Sequence, residues 1–226
     1  MSMNAFSTDF YRQTGKRILD LAVLFLAAPV VIVLSAVIWI LIRVDMGPPV
    51  LFRQPRPGRS EKIFTLLKFR TMTRSRDAQG RLLPDAQRIT PIGRFLRKTS
   101  LDEIPGLWNV LRGEMSLVGP RPLLARYLPF FTDEERKRFN VRPGITGWAQ
   151  IHGRNNLSWD ERLQMDAWYV DHQSLWLDLK ILWTTLAQVV RGKDVQVVPN
   201  LQMPDLDEER KDRQSAQSIS GPETAP

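Results

Sequence analysis

The dominant pattern in the chain is one uninterrupted apolar segment near its N-terminus. Residues 18–42 carry a single charge, Asp20, and show no polar stripe. A helix of this length rises about 37 Å, enough to cross a hydrocarbon core of roughly 30 Å. The apolar run is too long for a signal peptide, and the missing polar face argues against a buried core helix. We therefore predict a membrane helix.

Two features of this segment bear on its topology. Pro29 lies at mid-segment, where it removes a backbone hydrogen bond and bends a helix. Cations flank both ends, which under the positive-inside rule places both ends in the cytoplasm. A hairpin within one leaflet satisfies that rule, but proline also occurs in spanning helices, so the residues alone leave both topologies open. The flanking cations are Arg12, Lys16, Arg17, Arg43, Arg53, Arg56 and Arg59.

The remaining pattern predicts a mainly α domain with a small β element. Apolar residues recur at three- and four-residue steps over residues 92–112, and similar patterns predict helices within 123–138 and 158–191. Mixed apolar and basic residues at 50–73 fit a strand or a short helix, and we expect a strand or hairpin at the start of this segment. Glycine, proline and polar residues predict loops at 74–90, 113–122 and 141–156, and Thr132 with Glu135 forms a capping-box signature.

Residues 175–190 are apolar on most faces and carry Trp176 and Trp183 seven positions apart. An amphipathic helix at a membrane interface fits this pattern, and so does a core helix. The predicted division is an N-terminal segment with the membrane helix at 1–46, a cytoplasmic domain at 47–202 and a disordered tail at 203–226.

The composition of the chain limits the kinds of ligand and active site that it can have. The net charge is +8, and because the tail is acidic, residues 1–202 carry +11. Such a basic body favours a polyanionic partner: nucleic acid, an anionic membrane or a phosphorylated substrate. The chain has no cysteine and only two histidines, His152 and His172, which excludes disulfides, thiolate metal sites, a cysteine nucleophile and a three-histidine metal site.

The adjacent carboxylates Asp102 and Glu103 admit two interpretations. Ser100 and Glu103 have the spacing of a capping box, which is a structural role. Alternatively, the surrounding cations keep Asp102 ionised and attract phosphate, and a carboxylate can attack phosphorus to form an acyl phosphate. Two proline-stiffened loops offer phosphate ligands, Arg121 between Pro120 and Pro122, and Arg142 before Pro143, although Arg-Pro pairs are often structural.

Several long motifs occur in order along residues 10–195. They read KRILDL at 16–21, RPG at 56–58, KFRTM at 68–72, TSLDEIPGLWNVLRGEMSLVGPRPLL at 99–124 and RPGITGWAQIHGRN at 142–155. In these motifs the chain resembles the small monotopic phosphoglycosyl transferases, bacterial sugar transferases of the bacillosaminyl-phosphate type. The matching members break their membrane helix at a Ser-Pro pair. Here the pair is Ala28-Pro29, which keeps the proline and lacks the serine hydroxyl.

The resemblance implies an activity and a location. Members transfer a phospho-sugar from a UDP-sugar to undecaprenyl phosphate, release UMP and use Mg²⁺. It implies a re-entrant membrane helix, a cytoplasmic catalytic domain with interfacial amphipathic helices, and contact with phospholipid at the bacterial inner membrane. We expect an N-acetylated amino sugar, no nucleic acid partner, and leave the oligomeric state open.

The resemblance also assigns roles to residues. Asp102 matches the family nucleophile and Glu103 its partner, and both are candidate metal ligands; Pro29 matches the membrane kink. The candidate phosphate-binding residues are Lys68, Arg70, Arg94, Arg97, Arg112, Arg121, Arg142 and Arg154.

Two other classes of protein compete with this interpretation. A membrane-tethered nucleic-acid-binding protein would explain the basic body and interleaved tryptophans, but it leaves Asp102, Glu103 and the membrane helix without a role. A catalytically silent scaffold of a glycan-assembly complex is the third alternative. Release of UMP from a UDP-sugar separates the enzyme from both.

Overall fold

Helices make up most of the chain, and two short β pairs join them. The computed structural model describes residues 10–153, 157–191 and 204–219. The helices are α1 (Lys16–Met46), α2 (Asp85–Arg88), α3 (Pro91–Lys98), α4 (Gly106–Leu111), α5 (Asp133–Arg136), α6 (Trp148–His152), α7 (Trp159–His172), α8 (Leu175–Arg191) and α9 (Leu206–Ile219). The strands are β1 (Leu51–Pro57), β2 (Ile63–Phe69), β3 (Ser116–Val118) and β4 (Gly144–Thr146). A π-helical turn, Tyr11–Gly15, precedes α1, and 3-10 turns cover Arg59–Glu61, Leu101–Glu103, Ala125–Phe130 and Lys137–Asn140.

Helix α1 is the predicted membrane helix, and it continues through Pro29 without an interruption. It is the one helix in the described ranges that is long and apolar enough to cross a membrane. The middle of α1 is not covered by the rest of the protein: Phe25 and Leu26 are 81% and 79% exposed. Ile38 and Ile42, near the end of the helix, are buried. An apolar surface of this kind is unfavourable in water, which indicates a lipid environment.

The start of α1 is fixed to the rest of the protein through the buried carboxylate of Asp178 on α8. Asp178 Oδ2 accepts hydrogen bonds from the Tyr11 hydroxyl and from Lys16 Nζ, both at 2.5 Å. Its Oδ1 accepts the Tyr169 hydroxyl of α7 at 2.7 Å. Because a buried charge needs such partners, these bonds tie α1, α7 and α8 together at one point.

A second buried carboxylate, Asp20, ties α1 to β3. Its Oδ1 accepts the Ser116 hydroxyl at 3.0 Å and the backbone N–H of Leu117 at 3.1 Å. Arg17 donates to the carbonyl of Val110 at 2.6 Å, at the end of α4. The single charge inside the apolar segment is therefore satisfied by the globular domain.

The far end of α1 packs against the same domain. Ile38 and Ile42 are buried with Val50, Phe69 and Leu96 in one apolar cluster. Arg70, which follows β2, donates to the carbonyls of the last α1 residue and of the next residue at 2.7 and 2.6 Å. Both ends of the membrane helix thus contact one globular domain.

Strands β1 and β2 form the predicted hairpin, antiparallel from the Leu51–Phe69 pair to the Pro57–Ile63 pair. Strands β3 and β4 lie within segments predicted as loops and pair in parallel. Their backbones approach so closely that a Cβ on Gly144 would lie 2.1 Å from the Gly119 nitrogen. Only glycine fits there, so glycines that suggest loops in the sequence instead permit this pairing.

Two further differences from the sequence prediction have physical causes. The helix predicted over 92–112 divides into α3, a 3-10 turn and α4, because Ser100 adopts a left-handed backbone conformation with φ of +57°. Residues 206–219 of the predicted disordered tail form α9, which docks on the domain through buried Leu206 and several ion pairs. The Thr132–Glu135 capping box is confirmed.

Helix α8 has features of both alternatives considered for it, a core helix and an amphipathic helix at a membrane interface. Asp178 and Ile181 on one side are fully buried in the domain, whereas Trp176 and Trp183 on the other side are 80% and 74% exposed. Leu179 and Leu186 extend the exposed side at helical spacing. One face therefore belongs to the core, and the opposite face has the character of an interfacial membrane helix.

We predict that Lys16→Met lowers the free energy of unfolding by about 3 kcal/mol, because it leaves the Asp178 carboxylate buried without a counter-charge. Denaturant unfolding in detergent micelles measures the loss. The double variant Lys16→Met/Asp178→Asn removes that charge. Its amide oxygen still accepts from one tyrosine and its NH₂ group can donate to the hydroxyl oxygen of the other, so it should recover much of the stability. Additive losses would show that the ion pair does not anchor α1.

Candidate active site

A large cavity lies between the β1–β2 hairpin, the 3-10 turn Leu101–Glu103 and helix α7. Its volume is about 1370 Å³, larger than the roughly 300–1,000 Å³ of a usual small-molecule site. Ten arginine and lysine side chains line it, against four aspartate and glutamate side chains. The cavity therefore suits a large and strongly anionic ligand.

Glu103 lies at the junction of three elements that surround the cavity. Its Oε1 accepts hydrogen bonds from Lys68 Nζ of β2 at 2.6 Å and from Arg121 at 2.8 Å. Burial alone would raise the pKa of Glu103, but the charges and hydrogen bonds of Arg121 and Lys68 outweigh it and hold the pKa at about 2. Glu103 is therefore ionised at every physiological pH.

The capping box, one of the two interpretations considered for Ser100 and Glu103, does not form. Ser100 makes no side-chain cap to the turn, and Glu103 is bonded to cations from other elements instead. The left-handed conformation of Ser100 is costly for a residue with a side chain, by roughly 1–3 kcal/mol. Such strain is often found at functional sites, and here it separates α3 from the turn that presents Asp102.

Asp102 also lines the cavity but has a different electrostatic environment. Burial and the negative charge of Glu103 raise its pKa, while Lys68, Arg121 and Arg97 oppose the increase. Adjacent carboxylates thus have pKa values shifted in opposite directions, an arrangement often seen where acids have separate chemical tasks. Asp102 is therefore the more basic of the two carboxylates.

Three arginines crowd one wall of the cavity. Burial and the charge of Arg121 lower the pKa of Arg56 to about 10, and the same two causes lower the pKa of Arg162. Like charges repel in this geometry, so a bound polyanion would relieve the repulsion. The Arg121 pKa is itself raised, mainly by Glu103.

The structure brings together only part of the predicted phosphate-binding set. Lys68, Arg97 and Arg121 line the cavity with Asp102 and Glu103. Arg70 also reaches it, but its guanidinium holds the end of α1.

Four predicted arginines are placed elsewhere or lie outside the description. Arg142 donates to the Gly113 carbonyl at 2.8 Å, and exposed Arg112 pairs with Glu114. Neither of these, nor exposed Arg94, is among the residues lining the cavity. Arg154 lies outside the described residues. The Arg142-Pro143 pair thus fixes a loop, the structural role that such dipeptides often have.

The cavity contains several charged residues that sequence reasoning missed. One of them, Arg56, stands in the RPG motif, a signal that was available. Arg53 lies in β1, and the others come from the polar segment after β2 and from α7. Only the tertiary fold brings them together. The missed residues are Arg53, Arg56, Arg74, Arg76, Asp85, Arg88, Arg162 and Asp166.

The donor set for a metal ion is small. Among described residues, no group of three or more His, Cys, Asp or Glu side chains is placed to hold a metal. Asp102 and Glu103 are adjacent, but Glu103 Oε1 is already occupied by two cations. One or two carboxylates completed by substrate phosphates and water suit Mg²⁺, which keeps much of its hydration. Asp102 fits that role better than Glu103.

We predict that Glu103→Gln lowers the pKa of Asp102 in the metal-free protein. The variant removes the negative charge that raises this pKa and releases Lys68 and Arg121 to stabilise the Asp102 anion. Carbon-13 NMR of labelled aspartate carboxyls measures the titration, and Asp102→Asn assigns the signal. An unchanged or increased pKa would contradict the electrostatics described for the pair.

Comparison with known proteins places the chain in a family. The bacterial sugar transferase family matches residues 11–192, which include every described element from the π-helical turn to α8. The uncharacterized sugar transferase EpsL of Bacillus subtilis (strain 168) is 51% identical over 183 residues, covering 80% of this chain and 90% of the relative.

Two longer relatives are named for a reaction. The undecaprenyl-phosphate galactose phosphotransferase of Salmonella typhimurium is 39% identical, covering 82% of this chain and 41% of its own length. The UDP-N-acetylgalactosamine-undecaprenyl-phosphate N-acetylgalactosaminephosphotransferase of Aeromonas hydrophila is 36% identical, covering 78% and 44%. The chain thus spans about two fifths of their lengths. By these matches the chain is an enzyme that belongs to the bacterial sugar transferase family.

Proposed function

We propose that this enzyme transfers a phospho-sugar from a UDP-sugar to undecaprenyl phosphate and releases UMP, as the first membrane step of glycoconjugate assembly. The observation that carries the proposal is Asp102, a carboxylate of raised pKa, in a cavity with an excess of arginines. The family and the names of the relatives support the same reaction class.

The arginines supply the charge that a sugar-bearing diphosphate needs. Arg121 is held in place by Glu103, and Arg56 and Arg162 face the same wall. Planar guanidinium groups bind phosphate oxygens in pairs, and fixed cations stabilise charge that develops on the leaving UMP. Mg²⁺ bound by Asp102 and the substrate phosphates would supply further charge neutralisation.

Asp102 is the proposed nucleophile. One of its carboxylate oxygens attacks the sugar-bearing phosphorus, forming an aspartyl–phosphorus bond as the bond to UMP breaks. An oxygen of undecaprenyl phosphate then attacks the same phosphorus, and the aspartyl bond breaks to restore the carboxylate. Both nucleophiles are anions, so neither step requires a general base. The anomeric bond of the sugar is untouched and its configuration is retained.

The packing of α1 supports a one-sided, re-entrant topology. Asp20 and Ile38 stand 18 residues apart in one helix, or about 27 Å along its axis, and both are buried against the same domain. A spanning helix would place these positions on opposite sides of a roughly 30 Å core. We propose that α1 enters one leaflet from the cytoplasmic face of the inner membrane, with Pro29 at the bend.

Other exposed apolar residues support contact with phospholipid. Trp176 and Trp183 of α8, with Trp108 of α4, are among the exposed large hydrophobic side chains. Tryptophan favours the headgroup region of a bilayer, where its ring is buried and its N–H remains hydrated. This arrangement would bring undecaprenyl phosphate to the cavity from the membrane.

The identity of the sugar is the finer part of the proposal. Resemblance to bacillosaminyl-type enzymes favours an N-acetylated amino sugar, and one relative is named for N-acetylgalactosamine. Other relatives are named for galactose and glucose. A panel of UDP-sugars that carry bacillosamine, N-acetylgalactosamine, galactose or glucose therefore defines the substrate.

We predict Mg²⁺-dependent release of UMP when the protein meets its UDP-sugar and undecaprenyl phosphate. Asp102→Asn keeps the shape of the side chain but removes the nucleophile, and should lower turnover at least about 10³-fold with the fold intact. Arg121→Ala should lower turnover about 10- to 150-fold through loss of a charge-assisted bond. Arg142→Ala is the matched control, because it should lower thermal stability more than turnover.

The same assay tests the competing functions. Absence of UMP release across the panel, with a folded preparation, would favour the inactive scaffold. Absence of release together with salt-dependent binding of RNA or DNA would favour a nucleic-acid-binding protein. Full activity in Asp102→Asn would remove Asp102 from the nucleophile's role while leaving the overall reaction in place.

A separate prediction concerns topology. Arg12→Cys and Arg53→Cys introduce single thiols into a chain without cysteine. Both positions should be protected from a membrane-impermeant thiol reagent in intact cells and react after lysis. Labelling of one end alone from outside would establish a spanning helix. Pro29→Leu should shift the population toward spanning because it restores the backbone hydrogen bond.

A further inference from the structure

The C-terminal clasp, defined as residues 204–219 and containing α9, lies beyond the family match, which ends at residue 192. It is nevertheless firmly docked. Leu206 is fully buried in a cluster with Tyr127, Phe139 and Trp159. The Trp159 indole N–H donates to the Pro204 carbonyl at 2.9 Å. A segment outside the shared family region thus completes an apolar cluster within it.

Charged contacts extend the docking along α9. Arg210 donates to Glu135 at 2.6 Å and to Asp160 at 2.7 Å, and Arg213 reaches the other oxygen of Asp160 at 2.7 Å. Asp205 accepts the Tyr127 hydroxyl at 2.5 Å. Arg210 is largely buried and bonded to two carboxylates. Its contribution to the docking free energy of α9 therefore exceeds that of an isolated surface ion pair.

The clasp reaches the cavity through the residues it covers. Trp159 carries Arg162 on its ring, with the guanidinium carbon 4.7 Å from the ring centroid, and Arg162 lines the cavity. Leu123, in the same apolar cluster as Leu206, also lines the cavity. One layer of side chains therefore separates the clasp from the anion-binding wall.

We propose that the clasp is a positioning element for the anionic substrate: by fixing Trp159 it holds Arg162 at the cavity wall. This inference rests on the proposed function, because it takes the ligand of that wall to be the diphosphate of a nucleotide sugar. Without the bond to Pro204 and the cover of Leu206, Trp159 would be free to change rotamer. Arg162 would then lose the aromatic platform that orients it.

The test uses the full chain and calorimetric binding of UDP. Arg210→Glu places a third negative charge beside Glu135 and Asp160 and should release the clasp, which limited proteolysis of the tail detects. It alters no residue lining the cavity. We expect the Kd for UDP to increase about tenfold, the change produced by losing about 1.4 kcal/mol of charge-assisted contact. Arg210→Lys should restore tight binding, and Asp212→Asn, on the exposed side of α9, is the matched control.

A double-mutant cycle separates positioning from general stability. Arg162→Ala alone should weaken UDP binding, and adding Arg210→Glu to it should cause little further loss, because both act through one guanidinium. Additive losses would overturn the inference. An unchanged Kd for UDP in a variant whose tail is cleaved would also overturn it. So would a variant that melts at a lower temperature but still binds UDP with wild-type affinity when measured below that melting temperature. If Arg210→Glu leaves the tail protected, Leu206→Asp replaces it in the same cycle. Failure of the wild-type protein to bind UDP would instead count against the proposed function.

Discussion

The carboxylate of Glu103 is the interaction on which the site depends. It joins Lys68 of the hairpin to Arg121 of the proline-stiffened loop, and the turn that carries it also carries Asp102. Two cations held at fixed positions would otherwise repel each other and any further arginine in the cavity. Glu103 compensates them and remains ionised, while burial, together with the charge of Glu103, raises the pKa of Asp102. One side chain therefore fixes both the geometry and the electrostatics of the site.

The position of the membrane helix depends on another carboxylate, that of Asp178, which likewise joins several elements. Tyr11, Lys16 and Tyr169 converge on this fully buried carboxylate, and the far end of α1 packs on the hairpin that supplies Lys68. Because both ends of the helix contact one domain, the lipid-facing surface of α1 has a fixed position relative to the cavity. That relation matters for an enzyme whose proposed substrates come from water and from the membrane.

Sequence reasoning found the elements whose signal is local. The apolar run of α1, the hairpin and the Thr132–Glu135 cap follow from hydropathy and short motifs, and α1 keeps its predicted place. It missed what depends on distant parts of the chain. The β3–β4 pairing needs the contact of Gly119 with Gly144, and α9 is held by side chains of α5 and α7.

The candidate site shows the same division. The carboxylate pair and Arg121 were identified from motifs, and the fold places them together. Arg142 occupies an equally suggestive Arg-Pro pair, yet its guanidinium bonds a loop carbonyl away from the cavity. Arg162 has no local signal in the sequence, because only the fold places it at the cavity and over the ring of Trp159. Residue type predicts capacity for phosphate binding, and only tertiary position decides whether that capacity is used.

The central claim is that Asp102 forms a covalent bond to phosphorus, and a single-turnover measurement tests it most directly. Protein at high concentration is mixed with its UDP-sugar and Mg²⁺ in the absence of undecaprenyl phosphate, and UMP and intact protein mass are followed together. The account predicts about one UMP per protein and a mass increase of one phospho-sugar that maps to Asp102. Release of UMP only when both substrates are present, with no protein adduct, would contradict it.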